Sequence, residues 1–382
     1  MEPGRKEGPK RMIPVTKPFM PPRGEFEKQI DGIWDRRMLT NNGPLVQQLE
    51  QQLRRRLGLN HLLYVSNGTI ALQIAIRVLD LHGEIITTPF SYVATTSSIV
   101  WQGCRPVFVD IDPDSLNIDP ARIEAAITPQ TSAILATHCF GNPCDTDAIA
   151  AIAARHNLRV IYDAAHAFGT RWQGRSIFGH GDLSITSFHA TKLFQTVEGG
   201  AIIARTPDQE QRIRYMRNFG HKGYEEFDGL GINGKNSELH AAMGLCNIKY
   251  VDEVLASRKR QAALYDERLQ HPGIRRQQIR PGAEYNHAYY PVILPDEPAC
   301  LAVKAALEAE EIWPRRYFYP ALCTLDYTAA PGNAPADLPT AVDIASRILC
   351  LPVYHDLEPE VQHKVAEIVT KTLENSPNQA RA

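Results

Sequence analysis

Three short stretches hold residues whose types and spacing could do chemistry. In LSITSFHATKLFQTVEGGAI, Lys192 follows an apolar run, with Ser187 and His189 just before it and a Glu-Gly-Gly turn just after. Most lysines are solvated surface charges, but one desolvated in a crevice can shed its proton and form a Schiff base with a carbonyl. In VIYDAAHAFG, Asp163 and His166 come directly after another apolar run. Ligands of open α/β sheets sit at the carboxyl ends of strands, where a carboxylate could hold a ring nitrogen protonated and make the ring an electron sink. Asp163 could equally cap the next turn. In SNGTIAL, residues 66–72, an apolar run ends in a small polar turn containing Gly68 and Thr69. A helix starting there would offer free backbone N–H groups to a phosphate, although Ser, Asn and Thr are also ordinary helix caps.

The elements that must position these residues follow from the apolar pattern. Between about 60 and 205, the runs HLLYV, EIITT, RPVFVD, SAILATH, LRVIYDA, LSITSF and GAIIA alternate with helical patterns such as GTIALQIAIRVLDL. Such alternation predicts an α/β fold of crossover units on a mostly parallel sheet buried on both faces. Leu239, Met243, Cys246 and Tyr250 are helically spaced, which predicts one long helix over about 236–270 that links two domains. Beyond Pro272 the shorter units AYYPVIL, PACLAVKAALEAEEI, IASRILCLPVY and VQHKVAEIVTKTL predict a smaller C-terminal α+β domain. The expected division is a disordered tail at 1–12, a large domain at 13–255 and a small domain at 256–382. The C-terminal ENSPNQARA, poor in apolar groups, is expected to fray as well.

Composition excludes several classes. The 382 residues are 43% hydrophobic and 22% charged, as in ordered proteins. Lys and Arg number 41 against 43 Asp and Glu, a net charge of −2, so no global field recruits nucleic acid or an anionic membrane. No apolar run reaches the length of a membrane span, and MEPGRKEGPKRM lacks the apolar centre of a signal peptide, so the expected location is cytoplasmic. Seven scattered cysteines fit reduced thiols better than a disulfide framework. His138, Cys139 and Cys144 lack a second ligand pair, and no metal site is expected.

One motif points elsewhere and fails on context. GLGING, residues 229–234, fits a dinucleotide-binding pattern with Glu253 about twenty residues on. The preceding GYEEFD is not a buried strand, and Glu253 falls inside the predicted helix, so a dehydrogenase is a poor second reading. No GxxxxGK[ST] occurs, which argues against a P-loop NTPase.

In their order along the chain, the three stretches resemble those of pyridoxal-phosphate enzymes of the aspartate-aminotransferase fold type. The resemblance is closer than the fold type. SNGTIAL, TTPFSYVATTSSI, PVFVDIDPDSLNIDP, HCFGNPCD, DAAHAFG, SFHATK, VEGGAI and GINGKNSELHAA are similar to motifs of the DegT/DnrJ/EryC1/StrS sugar aminotransferases, from about Ile13 to Leu357. RRMLTNNGPLVQQLE and GINGKNSE look most like the branch that aminates C4 of nucleotide-linked 4-keto-6-deoxyhexoses.

The resemblance implies a PLP-dependent transferase fold of type I, with a mostly parallel seven-stranded sheet in the large domain. It also implies roles. Lys192 would carry the cofactor, pyridoxal 5'-phosphate, and move the proton between cofactor and sugar. Asp163 would pair with the pyridinium nitrogen, and His166 would contact the phenolic oxygen. Gly68, Thr69 and Ser187 would bind the phosphate, and Tyr92 would stack on the ring. Asn233 matches a residue that reaches the phosphate of a neighbouring subunit, which implies a homodimer with shared sites. Lys235 stands where many members have arginine and cannot clamp a carboxylate bidentately, so it is given no part in recognising the amino donor. Asn41, Asn42, His189 and Tyr319 lie where sugar or nucleotide contacts would fall, and each could equally be a satisfied loop residue.

The implied reaction takes the amino group of L-glutamate to a nucleotide-linked keto sugar, dTDP-4-keto-6-deoxyglucose, giving dTDP-4-amino-4,6-dideoxyglucose. Amination at C3 and a catalytically silent protein on the same fold are the alternatives. Relatives that dehydrate at C3 carry histidine in place of the lysine, so Lys192 argues for transamination.

Overall fold

The computed structural model describes residues 12–375; of the tails expected at 1–12 and 374–382, residues 1–11 and 376–382 lie outside the described residues. All seven apolar runs are strands of one sheet: β1 (His61–Val65), β2 (Glu84–Thr87), β3 (Arg105–Phe108), β4 (Thr131–Thr137), β5 (Arg159–Asp163), β6 (Leu183–Ser187) and β7 (Gly200–Ala204). Their order is β1-β7-β6-β5-β4-β2-β3. Only β7 runs antiparallel to its neighbours, β1 and β6.

Alternation along each strand separates two cores. Leu63, Val65, Ile161, Ile185 and Ile202 face the helix α3 (Gly68–Val78), whose Ala71, Leu72 and Ala75 cover them. Leu62, Tyr64, Ala201 and Ile203 face the other way, toward Leu45, Leu49 and Leu53 of α2 (Pro44–Leu57), which follows α1 (Arg23–Arg36) in the chain. Strand β1 is a sheet edge, and α2 blunts it: the buried Glu50 carboxylate accepts the Tyr64 backbone N–H at 2.9 Å.

The stretch expected to be one long helix is two helices, Glu238–Asn247 and Val251–Arg268, joined by the 3-10 turn Ile248–Tyr250. Residue 255 falls within the second of them. Beyond it, Arg275–Arg276, Tyr290–Ile293 and Ile348–Leu351 form a three-stranded antiparallel sheet packed on Glu297–Glu308 and Pro359–Glu374. The beginning of the described chain joins this unit, because Ile13–Pro14 pairs parallel with Ile312–Trp313. No helix among the described residues is long and apolar enough to cross a membrane.

Candidate active site

Three strands end at one place. β5 is apolar until it terminates in Asp163, whose side chain is buried beside Thr137, its register partner at the end of β4. Its two carboxylate oxygens accept from the Thr95 hydroxyl at 2.7 Å and the Ala165 backbone N–H at 3.1 Å. Burial raises its pKa above the ordinary value, while Thr95, Ala165 and the charge of Lys192 pull it back.

The chain leaving β6 makes the turn that carries Lys192. The Lys192 N–H donates to the His189 carbonyl, and the Thr196 N–H donates to Phe188. The Thr196 hydroxyl is tied to Tyr64 at 2.8 Å, fixing the turn against β1. Burial pushes the Lys192 amine down to about 8, with the charge of Asp163 opposing and that of Arg315 adding. Such an amine is partly neutral near neutral pH and is a competent nucleophile. The glycine pair that follows is sterically required: a Cβ on Gly200 would stand 2.6 Å from the Asn67 carbonyl carbon.

Asn67 caps α3, its side chain accepting from the Ile70 N–H. The Ala71 N–H donates to the Asn67 carbonyl, which leaves the Gly68 and Thr69 amides without an acceptor among the described residues. Ser187, the last residue of β6, lies against Gly68. Two free amides, a helix dipole and a hydroxyl make an anion site.

His166 lies in an aromatic box, stacked at 5.5 Å on Phe318 and 4.6 Å from Tyr289. Burial drives its pKa well below the ordinary value and the charge of Lys192 adds, so the imidazole is neutral. Its Nδ1 is buried with no hydrogen-bond partner among the described residues.

These groups line one cavity of about 360 Å³. Gly68, Thr69, Tyr92, Asp163, His166, Ser187, His189 and Lys192 all contribute to its wall. The other residues singled out in the sequence lie elsewhere. Asn233 is exposed, its side-chain oxygen accepting from Lys235 at 2.7 Å. Asn41 and Asn42 both have left-handed backbones, and Asn42 accepts from Arg217 at 3.0 Å. Tyr319 is half exposed beneath the Arg316 guanidinium. The wall also contains Arg315, Tyr317 and Phe318 from one short segment, Glu198 from the Glu-Gly-Gly turn, and Ser91 and Thr137; apart from Glu198, none of these stood out in the sequence. The Arg315 guanidinium lies 4.4 Å from the Tyr317 ring centroid and has no ion-pair partner among the described residues. The aromatic run RRYFYP was the one signal available for that segment.

A depressed lysine amine, a buried carboxylate, an unpartnered imidazole nitrogen and an anion site around one cavity fit pyridoxal phosphate. They define the class, a PLP-dependent aminotransferase of fold type I. Residues 23–370 match the DegT/DnrJ/EryC1/StrS aminotransferase family, and the chain belongs to it. It is 42% identical over 360 residues to the dTDP-4-amino-4,6-dideoxy-D-glucose transaminase of Shigella dysenteriae, covering 93% of this chain and 97% of that one. The Escherichia coli protein of the same name is 40% identical, with 94% and 98% covered. Among solved structures, DesI in the presence of its TDP-sugar product superposes with a TM-score of 0.90 at 34% identity, covering 97% of this chain and 95% of DesI.

Proposed function

We propose that the protein moves the amino group of L-glutamate to C4 of dTDP-4-keto-6-deoxyglucose, forming dTDP-4-amino-4,6-dideoxyglucose. The observation that carries the transamination is the pairing of Lys192 with Asp163 in one cavity. The choice of sugar is supported by the two transaminases at 42% and 40% identity and by DesI, whose product is a TDP-sugar.

Pyridoxal phosphate, when bound, supplies the electron sink. The residues supply placement and proton movement. Lys192 would hold the cofactor and, once freed as the amine, would move a proton between the donor carbon and the cofactor in one half-reaction and between the cofactor and the sugar carbon in the other. Asp163 keeps the ring nitrogen protonated. His166, a neutral imidazole, donates to the phenolic oxygen, and Tyr92 covers the ring. Gly68, Thr69 and Ser187 hold the phosphate. Arg315, a cation without a carboxylate partner on the cavity wall, receives a carboxylate of glutamate, the part that Lys235 is poorly shaped to play. His189, on the cavity wall, contacts the sugar nucleotide; Asn41, Asn42 and Tyr319, which form no part of that wall, would meet it only where it extends beyond the cavity.

Asn233 serves a second copy of the chain, giving a homodimer with shared sites. Support comes from the exposed apolar residues Phe219, Tyr224, Phe227 and Leu230, which surround it on the segment after Arg217. The seven cysteines are free and buried, in keeping with a cytoplasmic enzyme.

The test has two parts. The visible absorbance band of the purified protein should bleach with L-glutamate, and a Lys192→Ala variant should not respond. A panel of 3-keto and 4-keto sugar nucleotides then sets the position, and amination of a 3-keto sugar alone would end the C4 reading.

A further inference from the structure

Beside Asp163 runs a chain of three buried hydroxyls from three different elements. Thr95 sits in α4 (Val93–Trp101), Ser91 in the loop before it, and Thr137 at the end of β4. Thr95 donates to Asp163 Oδ2 at 2.7 Å, Ser91 Oγ lies 2.8 Å from Thr95 Oγ1, and Thr137 Oγ1 lies 3.0 Å from Ser91 Oγ. The three residues are 0%, 2% and 5% exposed respectively.

Proton counting fixes the direction of this chain. A hydroxyl has one proton to give. Thr95 spends its proton on the carboxylate, so toward Ser91 it can only accept. Ser91 then spends its own proton on Thr95 and accepts from Thr137. Every bond therefore points toward Asp163, an arrangement that favours the ionised carboxylate, the stronger acceptor. An acid protonated at Oδ2 would instead donate to Thr95 and reverse the chain. Bonds to an ionised acceptor are about twice as strong as neutral ones, and each polarises the next, so the support should weaken link by link away from the carboxylate.

We propose that Thr95, Ser91 and Thr137 are positioning residues that hold Asp163 as the anion and so keep the shared proton on the pyridine nitrogen. The proposal rests on Asp163 facing that nitrogen, as in the function proposed above. Without the chain, the N–H bond of the ring breaks, an O–H bond forms on Asp163, and the pair becomes neutral; no other atom or electron is exchanged. Asp163 alone is poorly placed to stay charged, because burial favours its protonated form.

The holoenzyme reconstituted with ring-15N pyridoxal phosphate reports the position of that proton directly. In the wild type the 15N resonance should fall in the protonated range. In Thr95→Val it should move toward the unprotonated range, and the cofactor dissociation constant should rise about tenfold, the lower end expected for a lost bond to a charged group. Thr95→Ser should restore both readouts, and Ser91→Ala should fall between wild type and Thr95→Val. A packing role would not give this order or be rescued by serine. Asp163→Asn, as the control, should lose the protonated resonance. If Asp163→Asn loses it while Thr95→Val matches the wild type, the chain is overturned and the role of Asp163 stands. If Asp163→Asn keeps it, the role of Asp163 falls and the chain with it. Should Thr95→Val fail to fold, Ser91→Ala decides, and an unchanged resonance there overturns the proposal.

Discussion

A Cβ on Gly68 would stand 3.0 Å from the Cβ of Ser187. The first residue of α3 and the last of β6 are thus as close as backbone and side chain allow, and the free amides of the helix are held beside the Ser187 hydroxyl. Gly68→Ala should force the helix start away by a few tenths of an ångström. Weakened bonds to a dianion should raise the cofactor dissociation constant about tenfold. Fluorescence titration of the cofactor-free protein measures this, and unchanged affinity would detach the helix start from cofactor binding.

Lys192 also makes stability depend on pH. Its folded pKa of about 8 lies below the roughly 10.4 of an unfolded lysine. Between these values the unfolded chain binds more protons, so stability rises with pH. The cost of burying the charge is present in full below about pH 8 and is gone by about 10.4. Urea titrations of the cofactor-free protein should therefore show the wild type gaining on Lys192→Met across that window, with parallel behaviour below it.

Arg217 and Glu50 form a buried ion pair at 2.5 Å, with both side chains under a tenth exposed. Arg217 also donates to the Tyr64 carbonyl and to Asn42. Glu50→Gln should destabilise the fold by about 3–5 kcal/mol, because it leaves a buried guanidinium without its counter-charge. Glu50→Leu combined with Arg217→Met should cost less than either change alone, a comparison that denaturant unfolding can make.

Arg315→Gln should raise the KM for L-glutamate roughly 10- to 100-fold, as expected for the loss of a charge-assisted pair. The KM for the keto sugar nucleotide should stay within about threefold of the wild type. Single-turnover half-reactions with each substrate separate the two, and a loss confined to the sugar half would move Arg315 to the nucleotide phosphates.

The sheet was legible because its strands are short apolar runs with local boundaries, and the place of Asp163 and Lys192 on one cavity wall was legible because Asp163 ends such a run and Lys192 lies in the turn after another. Thr95 was not, since nothing near it marks it apart from other helical threonines and its partner lies 68 residues away. Arg315, Tyr317 and Phe318 reach the cavity wall because Arg315 pairs with Cys350 of the strand Ile348–Leu351, a placement set by packing and not by spacing. The break between the helices Glu238–Asn247 and Val251–Arg268 has no proline or glycine to announce it, only a tightening at Ile248–Tyr250.

The position of β7 between β1 and β6 governs how the chain can assemble during synthesis. β1 has one strand neighbour, and its Val65 pairs with Gly200. At about 5–20 residues per second, a ribosome needs roughly 7–27 s to make the intervening residues. For that interval the nascent chain carries an apolar strand with no partner, and such strands are prone to pair with others. Residues 61–65 are thus exposed to mispairing on the side that β7 later covers, with α2 alone to shield them.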